Sequence, residues 1–362
     1  MRPPQDAVGV ERARSDGAPP PEIRTLRSPR LAQEDDDEPQ PGAANVNEDV
    51  RPTTKNSAKV HAQTPPQGRR KAAEAAAYAF LTPWILGMIL LTAGPMLYSL
   101  YLSFTRYNLL TDPQWVGFAN FVQMFTTDPR FFKSVAVTLA YVLISVPLLL
   151  ILSMLLALLL NTSMRFLTGY RAMFYLPSLM GVSVAIAALW RVIFGADGLV
   201  NKILAAFGIQ HASWVGDPHT ALSTIILLAL VVFGTTMIIF LAGLRQVPRE
   251  LYEAASVDGA GPFRKFFSIT LPMMTPLIFF NTLMVTIHAF QAFTGAYVVS
   301  GGTGGPADST LFYTLYLYQQ GFGQLHMGYA AAMAWVLVIV LAAFTAVFFW
   351  TARFWVHYGD ES

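Results

Sequence analysis

Two groups of residues have types and spacings that could do chemical or mechanical work. The first lies between Pro248 and Pro272: Glu253-Ala254-Ala255, then Asp258-Gly259, then Ile269-Thr270-Leu271-Pro272. Pro248 suits the first position of a helix, where its missing N–H costs nothing. Glu250 and Glu253 then fall near the positive end of the helix dipole. Gly259 can turn left-handed and stop that helix, while Ala254 and Ala255 leave room for a neighbouring backbone. A second short helix is expected from Pro262, with Arg264 and Lys265 further along it. The second group is Asn281, His288 and Gln291, with Thr282 and Thr286 between them. Helical spacing puts Asn281, Met284, His288 and Gly295 on one face, with Gln291 at its edge. Uncharged amides and an imidazole can hydrogen-bond a neutral, hydroxyl-rich molecule without imposing a fixed charge. A neighbouring helix can satisfy the same groups, and for Asn281 and Thr286 that reading is preferred. For His288 and Gln291 both readings stay open.

Covalent chemistry finds no residues to carry it. The chain has no cysteine, which removes disulfides, thiolate metal sites and thiol nucleophiles together. No Gly-x4-Gly-Lys-Ser/Thr phosphate loop is present, and no His-Glu-x-x-His or Gly-x-Ser-x-Gly motif. The run Gly301-Gly302-Thr303-Gly304-Gly305-Pro306 lacks the lysine and reads as a flexible turn. No catalytic or metal-binding residue is therefore assigned, and no cofactor is expected. A net charge of +2 gives no clustered basic patch, so nucleic acid is not an expected partner.

The elements that must position both groups are membrane helices. The 362 residues are 54% hydrophobic but only 13% charged, against roughly a quarter charged in soluble domains. The excess is concentrated after Ala72, in stretches at about 76–104, 134–160, 170–194, 219–243, 272–298 and 327–354. Each is long enough to cross about 30 Å of hydrocarbon as a helix of roughly 20 residues. The expected fold is all-α: a polytopic membrane protein with six transmembrane helices and a short cytoplasmic helix between the fourth and fifth. None of the six stretches contains Asp or Glu, although an ion-coupled carrier usually keeps such a relay inside the membrane. Gly181, Ala185 and Ala188 form a stripe suited to close helix packing. Trp190 and Trp214 are expected in an aromatic belt at the outer boundary.

Lys and Arg are denser in the connections before the first stretch, after the second, and at 244–271 than in the alternate connections. That asymmetry puts the 244–271 connection and both termini in the cytoplasm. Residues 1–71 hold Pro19-Pro20-Pro21 and Asp35-Asp36-Asp37-Glu38 and few large apolar groups, so a disordered cytoplasmic tail is expected. It lacks the apolar core of a signal peptide. Translation starting at a later codon, for example at Val60, would remove most of it; intact mass decides. The remaining 72–362 form the membrane domain.

Glu253-Ala254-Ala255, three residues, Gly259, nine residues, then Ile269-Thr270-Leu271-Pro272 resembles the EAA loop of binding-protein-dependent ABC importer permeases at every fixed position. Ala242-Gly243-Leu244, Val247-Pro248 and Ser256-Val257-Asp258-Gly259-Ala260 look like the carbohydrate branch, of maltose and glycerol-3-phosphate type. Phe80-Leu81-Thr82-Pro83, Val116-Gly117-Phe118-Ala119-Asn120-Phe121, Phe174-Tyr175-Leu176-Pro177 and Gly304-Gly305-Pro306 agree with it. The resemblance spans about Tyr78 to Phe354, with its loop at about 248–272. It implies a non-catalytic translocation subunit that pairs with a second, homologous permease, two ABC ATPase subunits and an extracytoplasmic solute-binding protein. Glu253 would meet the ATPase, Ala254 and Ala255 would pack in its groove, and Gly259 would allow the turn after Asp258. Ile269, Leu271 and Pro272 would join the docked helix to the fifth span. The expected solute is a sugar or polyol. A non-sugar importer permease and an ion-coupled secondary carrier are the alternatives.

Overall fold

The computed structural model describes residues 78–162, 167–209 and 212–356. The tail expected over 1–71 and the carboxyl terminus lie outside the described residues. Helices dominate the rest, with one two-residue antiparallel ladder pairing Thr105 with Trp115 and Arg106 with Gln114.

The first apolar stretch is one helix, α1 (Tyr78–Ser103). After the ladder and a short α2 (Ala119–Thr126) comes α3 (Pro129–Leu159), the longest helix described. Its start is sharply defined. The Asp128 carboxylate accepts hydrogen bonds from the backbone N–H groups of Arg130 and Phe131, and Pro129 occupies the first turn. Ser134, Thr138, Tyr141, Ser145, Leu149 and Ser153 are all buried and recur at helical spacing along one face of α3. That face packs against the helices that follow.

The third and fourth stretches differ from the simple spans expected. Residues 170–194 form α4 (Leu167–Met180) and α5 (Val184–Ile193), bent by 101°. Gly181 leaves the right-handed region (φ +59°), and Ser183 restarts the chain as a cap whose Oγ accepts from the Ile186 N–H. After α6 (Leu199–Ala206), the fourth stretch splits into α7 (Ala221–Leu230) and α8 (Phe233–Leu244), bent by 44°. At that second break the hydroxyl of Ser153 donates to the Phe233 carbonyl, 3.1 Å away. Among the described residues, four helices are therefore long and apolar enough to cross a membrane singly, or up to six segments if each bent pair counts as one crossing.

The loop helix α9 (Arg249–Val257) precedes α10 (Pro262–Lys265), a π-turn at Phe266–Thr270 and α11 (Leu271–Phe290). The fifth span thus begins near Pro262, earlier than expected, and the second short helix is its first turn. It is interrupted at residues 291–293 before α12 (Thr294–Val299). Then come α13 (Tyr313–Tyr318), a second π-turn and α14 (Met327–Trp355). One core gathers Phe131, Tyr141, Leu228, Phe312 and Met333; a second gathers Met154, Met237, Phe240, Leu244 and Met274. Trp190 is not a free belt residue: its indole N–H donates to the Thr224 carbonyl at 2.8 Å and its ring packs on the first core.

Candidate functional site

The structure places the 248–272 group at one end of α11 and His288 and Gln291 at the other, with Asn281 midway along its 20 residues, which cover about 30 Å. At the near end, α9 starts differently from expectation: Pro248 is its cap (φ −58°, ψ 133°), and Arg249 is the first helical residue. Glu250 still lies in the first turn. The stop is as read. Gly259 adopts φ +75°, its N–H donates to the Ser256 carbonyl, and the Ala260 N–H donates to the Ala255 carbonyl. These two bonds satisfy carbonyls that a helix end leaves open.

Glu253, Ala254, Asp258 and Gly259 are exposed, and Ala255 is half-buried. The Glu253 carboxylate has no hydrogen-bond or ion-pair partner among the described residues. The same loop exposes apolar side chains, Val257 at 89% and Phe263 at 81%. Burying such groups against a partner is favourable, and leaving them in water is not.

Sequence reasoning missed what ties α9 to the membrane helix. The Tyr252 hydroxyl lies 2.8 Å from the hydroxyl of buried Thr270, and the Lys265 ammonium donates to Ser256 at 2.6 Å. Ile269, Leu271 and Pro272 are half-buried around this joint. Spacing alone does not single out Tyr252 or Thr270; only the fold brings residues 18 positions apart into contact.

At the far end of α11, His288 occupies the last turn and Gln291 is the C-terminal cap. Both line a cavity of about 290 Å³ walled in part by α3, α7, α11, α12 and Phe312. Tyr141, Ser145, Phe293 and Thr294 add further polar and aromatic wall, and no Asp, Glu, Lys or Arg lines it. Asn281 and Met284 are not part of this wall. The Asn281 amide donates to the Leu277 carbonyl of its own helix at 2.8 Å and is 2% exposed. Gly295 does line the cavity, but from α12, because the break after Phe290 ends the continuous face.

Residues 118–356 match the family model described as "Binding-protein-dependent transport system inner membrane component". The chain is 50% identical to the probable ABC transporter permease protein YesP of Bacillus subtilis (strain 168), over 79% of this chain and 93% of that protein. It is 33% identical to the lactose transport system permease protein LacF of Rhizobium radiobacter, over 76% and 93%. A chain in the crystal structure of a bacterial alginate ABC transporter, bound to a periplasmic protein carrying alginate pentasaccharide, superimposes with a TM-score of 0.69. That match has 22% identity and covers 79% of this chain and 96% of that one, so it speaks to the fold.

Proposed function

This chain belongs to the binding-protein-dependent transport system inner membrane component family and is an ABC importer permease; we propose that it carries a sugar or related polyol and receives its driving force through α9. In this reading the cell membrane holds α9 and both termini on the cytoplasmic side. One of two ABC ATPase subunits meets Glu253, Ala254, Ala255 and Asp258. A second, homologous permease completes the path, and an extracytoplasmic binding protein delivers the solute. ATP hydrolysis takes place in the partner chains, and this one does no covalent chemistry.

One observation carries the proposal. An exposed, capped helix is tied through Tyr252–Thr270 and Lys265–Ser256 to the base of α11, whose other end presents His288 and Gln291 to a cavity with an uncharged wall. Closing of the ATPases moves α9, the joint passes that movement to α11, and the cavity changes the side to which it opens. An uncharged wall with donors, acceptors and aromatic rings suits neutral hydroxylated solutes, which need hydrogen bonds but no counter-ion. The lactose relative points to the same class of solute.

The test is reconstitution. Vesicles holding the complete assembly, ATP and binding protein should accumulate labelled sugar, and vesicles holding this chain alone should not. Accumulation by the chain alone, or driven by an ion gradient, would overturn the reading.

A further inference from the structure

A second polar cluster lies at the end of α3 remote from α9, and neither the solute nor the ATPase reading uses it. The Asp128 carboxylate caps α3 and also accepts hydrogen bonds from the Tyr316 and Tyr329 hydroxyls, each at 2.6 Å. Gln320 donates to the Tyr316 hydroxyl at 2.8 Å. Two residues along, the Arg130 guanidinium grips Asp308 with both arms, Nε to Oδ2 at 3.0 Å and Nη2 to Oδ1 at 2.7 Å. Three segments that are 178 to 201 residues apart in sequence from the start of α3 are thereby fastened to it.

Asp308 leads directly into the cavity wall. The Leu311 N–H donates to the Asp308 carbonyl, Thr310 bonds both Gly304 and Gly305, and the Tyr313 N–H donates to Thr138 on α3. Between them stands Phe312, which lines the cavity and packs on Tyr141 with ring centroids 4.7 Å apart. We propose that Asp128, Arg130 and Asp308 are positioning residues for transport: the Arg130–Asp308 pair fastens the 304–313 turn to α3 and Asp128 fastens α13 and α14 beyond it, and together they hold Phe312 as the wall of the cavity remote from the ATPases. The two parts of the clamp differ in weight. Arg130 and Asp308 keep 40% and 30% of their side-chain surface exposed, so their pair alone is worth little. Asp128 faces two buried tyrosine hydroxyls that would be left without an acceptor if it were lost, which is the costlier change.

The inference rests on the reading of the cavity as the solute path, yet its test needs no solute. The chain has no cysteine, so Ala292→Cys in the cavity wall and Ala157→Cys in the second core each give a single thiol. Both are exposed to a charged methanethiosulfonate added to the assembled transporter from the side opposite the ATPases. Arg130→Gln should raise the reaction rate of Ala292→Cys by about twofold, as suits a half-exposed pair, and leave that of Ala157→Cys unchanged. The Tyr316→Phe, Tyr329→Phe pair, which keeps both rings, should act in the same direction. Exchanging the partners, Arg130→Asp with Asp308→Arg, should restore the original rate. Unchanged Ala292→Cys rates in both variants, or equal increases at the two thiols, would overturn the clamp, the second outcome indicating general loosening. Failure of the wild-type assembly to import sugar would instead sink the path reading and leave the clamp standing.

Discussion

At Gly259 the residue, its backbone angle and its exposure all bear on one question: does this surface meet a partner? A Cβ built there meets nothing within 4 Å, so space is not what selects glycine. The φ of +75° is, and a side chain held there costs about 1–2 kcal/mol, less for Asn or Asp. Gly259→Asn and Gly259→Asp therefore share the backbone cost, and only the second adds charge to the exposed face. If α9 docks, Gly259→Asp should lose ATPase co-purification and uptake well beyond Gly259→Asn, while both remain in the membrane. Equal behaviour would reduce Gly259 to a helix stop. Glu253→Lys should likewise lose the ATPase. Tyr252→Phe should keep the ATPase bound and lower uptake, because it cuts the joint to Thr270 and leaves the exposed face untouched. Simultaneous loss of both in Tyr252→Phe would put Tyr252 in the docking surface instead.

At the scale of elements, α3 shows why part of the architecture was legible and part was not. Its length and the lack of charge after Lys133 announce a membrane helix, but a run of leucines does not say which side faces protein, since lipid tails are as apolar as leucine. The side is written in the small polar residues: Ser134, Thr138, Ser145 and Ser153 are all buried, while Leu143, Leu155 and Leu159 are exposed. The breaks in the third and fourth stretches escape hydropathy for a related reason. Gly181 and the Val231-Val232 pair change backbone direction without changing apolarity. His288 and Gln291 could be picked out by type as polar groups in an apolar stretch. Tyr141 and Phe312, which share their cavity, look like ordinary core residues until the fold assembles them. Met237 is fully buried in the second core and Leu155 is 59% exposed. Met237→Ala should cost about 2–5 kcal/mol through lost contacts, whereas Leu155→Ala should barely move thermal unfolding in detergent. Comparable losses would mean that Leu155 too faces protein in the assembly.

For the whole molecule, the account is mechanical. In the proposed mechanism a capped helix receives a push, a two-bond joint passes it on, and a helix about 30 Å long delivers it to a cavity lined by no Asp, Glu, Lys or Arg. That chain of parts depends on which side of the membrane α9 faces and on what touches it. Both can be read at Val257, the most exposed apolar side chain of α9, in a chain without cysteine. Val257→Cys is treated with a membrane-impermeant maleimide in inside-out and right-side-out vesicles, with and without the ATPase subunits. The account predicts labelling only in inside-out vesicles, suppressed once the ATPases are bound. Labelling from the outer face, or labelling that bound ATPases leave untouched, would contradict it.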